Sequence, residues 1–403
     1  MNHKLESRWR YLSLMVVTAL LILSSRAMRA ETGTCGGSFT TLPFTDVQAG
    51  NVFFCSIAEA YFAGLTNGTT PTTYNPSDPV PREQMSAFIT RTMDQSLKRG
   101  SKRAAMEAWW TPGDSGVLKS VPLGNTPRDI SFDGEDLWSA NFSGNSVTRI
   151  RASDGRVMQT WTAATGAIAV VVAAGKIFIA GNLGPGTAGK IYSINPEATS
   201  SGPVTVFESD IGFAPLAITF DGVNLWTANA SGSISKVNVV NGIDSTFSGF
   251  SSANDILWDG VNLWVADGGD HTLKRVDPSN GTVLESFSGF TEANKLVFDG
   301  TNLWVSNFNV NSVKVLRATG GLRGTTLATI TGNGIDSPYG MAFDGERVMV
   351  CNWNTNSVSL FNAPDFSPIG TLSTGANSHP EAVRSDGVNF WIVRPPLNDM
   401  VRF

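Results

Sequence analysis

Through the larger part of this chain a short apolar run, an Asp-Gly pair and a second apolar run ending in Asn or Asp keep returning. The phrase is Phe132-Asp133-Gly134-Glu135-Asp136-Leu137-Trp138, then Phe220-Asp221-Gly222-Val223-Asn224-Leu225-Trp226, with further copies at Asp259, Asp299, Asp344 and Asp386. Each copy predicts two antiparallel strands around a tight turn, and Asp-Gly between apolar runs points to a type I′ turn with φ > 0 at both central residues. Asp221 to Asp259 is 38 residues, and the following steps are 40, 45 and 42. Asp133 to Asp221 is 88, a double step that holds a hidden copy: Ile168 to Ala174, Gly175, then Lys176-Ile177-Phe178-Ile179-Ala180, with Phe178 where the others carry Trp. The count is seven, and a period of about 40–45 residues with several short strands is that of a propeller blade.

The remaining strands of each unit can also be read. After the Trp strand come Ser146-Val147-Thr148-Arg149-Ile150, Thr272-Leu273-Lys274-Arg275-Val276, Ser312-Val313-Lys314-Val315-Leu316 and Ser357-Val358-Ser359-Leu360. A turn such as Asp154-Gly155 or Asn280-Gly281 then leads to a fourth strand, as in Thr282-Val283-Leu284-Glu285-Ser286-Phe287. Four strands, A to D from the axis outward, make a blade. The seventh unit stops at its third strand, Asn398 to Phe403, while Gly116-Val117-Leu118-Lys119-Ser120-Val121 reads like a fourth strand lying before the first blade. Pairing 116–121 with 398–403 closes the ring and removes a bare sheet edge.

The repeat phrase resembles bacterial YVTN/NHL-type propellers, most cleanly in Leu303-Trp304-Val305-Ser306-Asn307 with Asn311-Ser312-Val313, and is similar to that of streptogramin lyase. The resemblance covers about 116–403 and implies the propeller fold. The lyase asks for a Glu-x-His pair after a B strand. The matching positions read Asn141-Phe142-Ser143, Asp267-Gly268-Gly269 and Asn307-Phe308-Asn309, so that activity is not implied for this chain.

Residues 40–97 have another character. Phe53, Phe54, Ile57, Ala60, Tyr61 and Phe62 fall at helical spacing within 51–63, and Pro81 opens a second helix whose stripe is Met85, Phe88, Ile89 and Met93. Phe44-Thr45-Asp46-Val47, Ile57-Ala58-Glu59-Ala60-Tyr61, Gly64-Leu65-Thr66-Asn67-Gly68, Tyr74-Asn75-Pro76 and Val80-Pro81-Arg82-Glu83-Gln84-Met85 together resemble the surface-layer homology (SLH) domain. That resemblance implies binding of cell-wall polysaccharide through Arg82 and Glu83. The expected fold is thus mainly β: a seven-bladed β-propeller over 116–403, a linker over 98–115, and a small N-terminal α-helical SLH-like domain over 40–97.

Composition adds the compartment. Lys4, Arg8 and Arg10 precede the short apolar stretch Tyr11 to Leu23, and Ser25-Arg26-Ala27 or Met28-Arg29-Ala30 offers a small residue at a cut. Residues 1–30 therefore read as a secretory signal peptide, with an uncleaved anchor as the alternative, and no membrane span is expected after cleavage. Export makes Cys35–Cys55 a candidate disulfide, and Cys351, inside a strand, reads as a buried small hydrophobe. Charged residues are 16% of the chain and the net charge is −5 without basic blocks, which excludes a nucleic-acid face.

Candidate chemistry gathers on the face carrying the B–C and D–A loops. The B-strand ends supply Asn141, Gly181, Asn229, Asp267, Asn307, Asn352 and Arg394; the D–A side supplies Arg128, Asn254, Asn294, Lys295, Tyr339, His379 and Glu381. The repeated Asn residues suit local bonds to backbone. Asp267, Arg394, His379 and Glu381 break the repeat and head the list of ligand-binding candidates, joined by Asn307, Asn352, Tyr339 and Trp353, which follows Asn352 into a face loop. The other tryptophans, Trp138, Trp226, Trp264, Trp304 and Trp391, are expected between blades. No metal-ligand spacing, nucleophile elbow or phosphate loop occurs, and no metal or cofactor is expected. The expected function is binding or scaffolding at the cell surface or envelope, with cell-wall polysaccharide and an unknown polar small molecule or protein as partners. The alternative is an extracytoplasmic lyase or hydrolase using His379, Glu381 and Asp267.

Overall fold

The computed structural model describes residues 31–35, 38–62, 66, 68–80, 85 and 120–403, apart from 183, 185, 199 and 243. These fall in two compact units divided between Val117 and Leu118. The expected signal peptide, the linker and the Arg82–Glu83 site lie outside the described residues.

In the first unit, Glu31–Cys35 and Ser38–Leu42 form an antiparallel hairpin, followed by the helix Phe54–Phe62. Asn51 caps this helix, its Oδ1 accepting from the Phe53 N–H at 2.8 Å. Leu42, Phe44, Val47, Phe54, Ile57 and Ala58 make a small core, with the Phe44 ring against Tyr61 and Tyr74. A core this small needs a staple. Cys35 and Cys55 provide it, joined by a disulfide that ties hairpin to helix. The carboxylate of Asp46 accepts N–H bonds from Tyr74 and Asn75, pinning the loop that follows. The described residues hold the first of the two expected helices and, ahead of it, a strand hairpin that mostly precedes the expected module; the second helix, opened by Pro81, lies outside the described residues except for Met85.

The second unit is a seven-bladed propeller of four-stranded antiparallel sheets. The A strands of blades 1 to 7 begin at Pro127, Ala167, Pro215, Ala253, Ala293, Pro338 and Ala382. Neighbouring A strands lie side by side around the axis, and that of blade 7 returns against that of blade 1. Closure pairs Ser120–Pro122 with the last strand, Ser120 opposite Val401, Val121 opposite Met400 and Pro122 opposite Asp399. Val121 is buried with Trp391, Met400 and Ile130, so the closing strand seals an apolar layer as well as an edge. Of the anticipated strand, 116–119 lies outside the described residues, and the pairing runs one residue further, to Pro122.

Each B strand sends one large side chain into the next blade. Trp138 packs with Val170, Ile177 and Ile179; Trp264 with Leu296, Leu303 and Val305; Trp391 with Ile130, Leu137 and Ile150. Phe178 and Met349 take this place in blades 2 and 6. Five of the tryptophans also donate their indole N–H to the Asp of their own hairpin turn, at 2.7 or 2.8 Å: Trp138 to Asp133, Trp226 to Asp221, Trp264 to Asp259, Trp304 to Asp299 and Trp391 to Asp386. The second oxygen of each Asp accepts two backbone N–H bonds inside the turn, as Asp299 does from Thr301 and Asn302. One carboxylate thus folds the turn and satisfies the buried indole.

This corrects the expected turn type. In the Asp-Gly turns only the glycine has positive φ, from 89° to 106°, while the Asp acts as an Asx cap. The type I′ geometry is found where the Asp is missing: Ala174 and Gly175 have φ of 47° and 72°, between Ala173 and its partner Lys176. Phe178 has no N–H to satisfy, so blade 2 needs no Asp. In blade 6, Met349 also lacks a donor, and Asp344 accepts instead from Arg347 Nε.

Candidate functional site

The seven A strands enclose a channel of about 810 Å³. Near the start of the A strands the ladder slips, between Pro127 and Asp129, Ala167 and Ala169, Pro215 and Ala217, Ala253 and Asp255, Ala293 and Leu296, and Pro338 and Met341. A bulge re-aims side chains, and here it turns the residues at each slip toward the axis. Those residues are Arg128, Ile168, Leu216, Asn254, Asn294 with Lys295, and Tyr339, all of which line the channel.

The wall is therefore asymmetric. Blades 2 and 3 contribute Ile168, Val170, Leu216 and Ile218. Blades 4, 5, 6, 7 and 1 contribute Asp255, Lys295, Tyr339, Glu381, Arg128 and Asp129. Arg128 Nη1 reaches both oxygens of Glu381, at 2.7 and 2.5 Å. Asp129 and Asp255 each accept a backbone N–H from the following blade, Val170 at 2.9 Å and Leu296 at 2.8 Å. Lys295 Nζ stands 3.8 Å from Asp255 Oδ1 and 5.9 Å from the centre of the Tyr339 ring.

Burial governs the titration of this cluster. It pushes the Asp129 and Asp255 carboxyls above their ordinary range, against the pull of Arg384 on the first and Lys295 on the second. Burial also raises the Tyr339 phenol. Burial alone would lower Lys295, but the negative potential of Asp255, with Tyr339, Asp129 and Glu381 beyond it, holds the ammonium above its ordinary value.

From Tyr339 an aromatic row leads away from the mouth. Phe308 stands edge-on to Tyr339 at 6.0 Å and to Trp353 at 6.4 Å, and Trp353 lies 4.3 Å from the His379 ring. His379 sits at φ 38°, its N–H donating to Asn356 Oδ1 and its Nδ1 2.9 Å from the Trp353 carbonyl. All four rings are half-buried.

The other sequence candidates lie within the blades and do not line the channel. Asp267 is fully buried, accepting from the Ser251 and Ser252 N–H groups and from Lys274 Nζ at 2.7 Å; those bonds hold its carboxyl below the ordinary range although burial opposes them. Arg394 binds Asp399 through two nitrogens and the Thr374 carbonyl through the third, and Asp399 in turn accepts from Ser120 Oγ. Arg394 therefore braces the ring closure. Asn307 accepts from the Thr291 and Glu292 N–H groups, and Asn352 donates to Ser357 and Ser359. Of His379, Glu381 and Asp267, the proposed acid–base set, only Glu381 lines the channel. Cys351 is buried, and desolvation raises its thiol far from reactivity. Among the described residues no group of three His, Cys, Asp or Glu could hold a metal ion, and no helix is long and apolar enough to cross a membrane.

Sequence reasoning missed Asp129, Asp255 and the significance of Lys295. The signal was available: Arg128-Asp129-Ile130, Asn254-Asp255-Ile256 and Asn294-Lys295-Leu296 align with Ile168-Ala169-Val170, which shows charges in strands that face the axis.

Neither a protein-family model nor a curated protein matches the chain. Among solved structures it is similar to hydrazine synthase of Kuenenia stuttgartiensis, with a TM-score of 0.59 at 15% identity over 72% of this chain and 98% of that one. It is similar to a catalytically inactive virginiamycin B lyase from Staphylococcus aureus with quinupristin, with a TM-score of 0.58 at 16% identity over 71% and 98%. The WD40 propeller domain of Doa1 gives 0.59 at 13% identity over 72% and 96%. Proteins of such different chemistry share the architecture, so the likeness is one of fold.

Proposed function

We propose that this is an exported protein of the cell surface or envelope, in which an SLH-like unit attaches to wall polysaccharide and the propeller binds a polar ligand at the mouth of its channel. The observation that carries the binding role is the asymmetric channel: one closed ring of repeats in which blades 1, 4, 5 and 7 place charged side chains at the axis and blades 2 and 3 place none. A ring built only as scaffold has no need of desolvated charge at its centre, where each such group costs stability. The Cys35–Cys55 disulfide supports export, since such bonds persist in oxidising compartments. The motif match around Arg82 and Glu83 supports wall attachment, a guanidinium being suited to the carboxylate of an acidic sugar. The lyase or hydrolase alternative keeps one of its three residues at the channel, Glu381, and Arg128 occupies both of its oxygens.

Two experiments on the full chain test the two halves of the proposal. A fragment library followed by NMR should show ligands that are lost in Leu216→Trp, which fills the channel; ligands that bind equally well to the variant would place the site elsewhere. Sedimentation with purified wall polymer should be weakened by Arg82→Ala, and an unchanged bound fraction would remove the attachment role.

A further inference from the structure

Resting on the channel-mouth reading, we propose that the ligand is an amphipathic carboxylate, its acid group held by Lys295, Asn294 and Tyr339 and its apolar body lying against the blade 2 and 3 wall. The argument is a mismatch of donors and acceptors. At the mouth both oxygens of Glu381 take Arg128, and one oxygen each of Asp129 and Asp255 takes a backbone N–H. The donors are not so engaged. Among the described residues Lys295 Nζ has no acceptor closer than Asp255 at 3.8 Å, and its ammonium carries three N–H groups. The Tyr339 hydroxyl and the Asn294 amide line the same channel and have no hydrogen-bond partner among the described residues. Asn294 is 7% exposed as a whole residue and lies beside Lys295 on the channel wall. Asn294 and Lys295 are consecutive in one bulge, which turns both toward the axis, and Tyr339 comes from the next blade.

A surplus of donors calls for a ligand rich in acceptors, and a carboxylate accepts from several donors at once. Opposite stand Ile168, Val170, Leu216 and Ile218, which offer no hydrogen bond and suit an alkyl or ring body. The channel volume, about 810 Å³, takes a molecule of ordinary metabolite size.

The test titrates the full chain with octanoate, octan-1-ol and octylamine below their aggregation limits, followed by NMR shifts and calorimetry. Octanoate is expected to bind at least about tenfold more tightly than the other two, as a charge-assisted contact to Lys295 requires. Lys295→Met should remove most of that advantage, and Tyr339→Phe, which keeps shape and folding, should weaken octanoate severalfold while leaving octanol unchanged. Octylamine or octanol binding as well as octanoate, in a manner lost in Leu216→Trp, overturns the carboxylate assignment and leaves the channel site standing. Octanoate affinity unmoved by both Lys295→Met and Tyr339→Phe overturns it too. Failure of all three probes, with library fragments still displaced by Leu216→Trp, overturns the assignment alone; if no fragment responds to Leu216→Trp either, the channel reading falls with it.

Discussion

The hairpin rim and the channel mouth use the same residue types to opposite ends. At the rim, five Asp–Trp pairs and their Asx turns repeat blade after blade, each carboxylate bonded to the indole and backbone N–H groups around it. At the mouth no two blades carry the same set, and donors at Lys295, Tyr339 and Asn294 are left over. Repetition in this fold marks what every blade needs in order to pack. Departure from it marks either a local exchange that restores the same packing or a site.

If that distinction holds, changes at the rim should cost stability and spare the ligand, and changes at the mouth should do the reverse. The largest effect is expected for Trp304→Ala, which empties a fully buried wedge between blades 5 and 6 and should cost about 3–5 kcal/mol in denaturant unfolding. Lys274→Met comes next. It strands the buried Asp267 carboxylate and should cost about 3 kcal/mol at neutral pH, falling as acid protonates Asp267 below its ordinary value. Asp299→Ala removes a turn cap and leaves the Trp304 indole unpaired, for about 2 kcal/mol. Asp129→Asn should act with the other sign. The folded-state pKa of Asp129 is raised, so its ionisation opposes folding as pH climbs through that value. The variant should therefore gain stability relative to the parent at pH about 8, a gain that shrinks toward the unfolded carboxyl value of about 3.9. Tyr339→Phe should be the smallest, within about 0.5 kcal/mol, because the hydroxyl it removes has no partner among the described residues. A large loss there would move Tyr339 from the site to the scaffold.

The blades, their number and the borrowed closing strand were legible because each rests on short-range pattern: a two-residue strand period, turn residues, and a fixed step. The inter-blade place of the tryptophans followed from the same pattern. Their bond to the turn Asp, five residues back, needed a further comparison: blade 2 lacks both Trp and Asp, while blade 6 lacks the Trp and keeps Asp344, which takes Arg347 instead. The site was harder to read. Asp267 and Arg394 stood out as breaks in the row of Asn residues, yet each break is compensated nearby. Lys274 stands where blade 1 has Thr148, and Asp399 where it has Ser146. A broken pattern with its complement on the adjacent strand signals structure. Asp129, Asp255 and Lys295 have no such complement within their own blades, and that is what distinguishes them. Which side chains face the axis depends on bulges that no single strand announces.

The most direct test is a crystal of the full chain soaked with 8-bromooctanoate and read by anomalous scattering from the bromine. The expected result is a bromine peak beside Ile168 and Leu216, with the acid group within hydrogen-bond reach of Lys295 Nζ and the Tyr339 hydroxyl. A peak outside the channel, or one with the two ends reversed, would contradict the account.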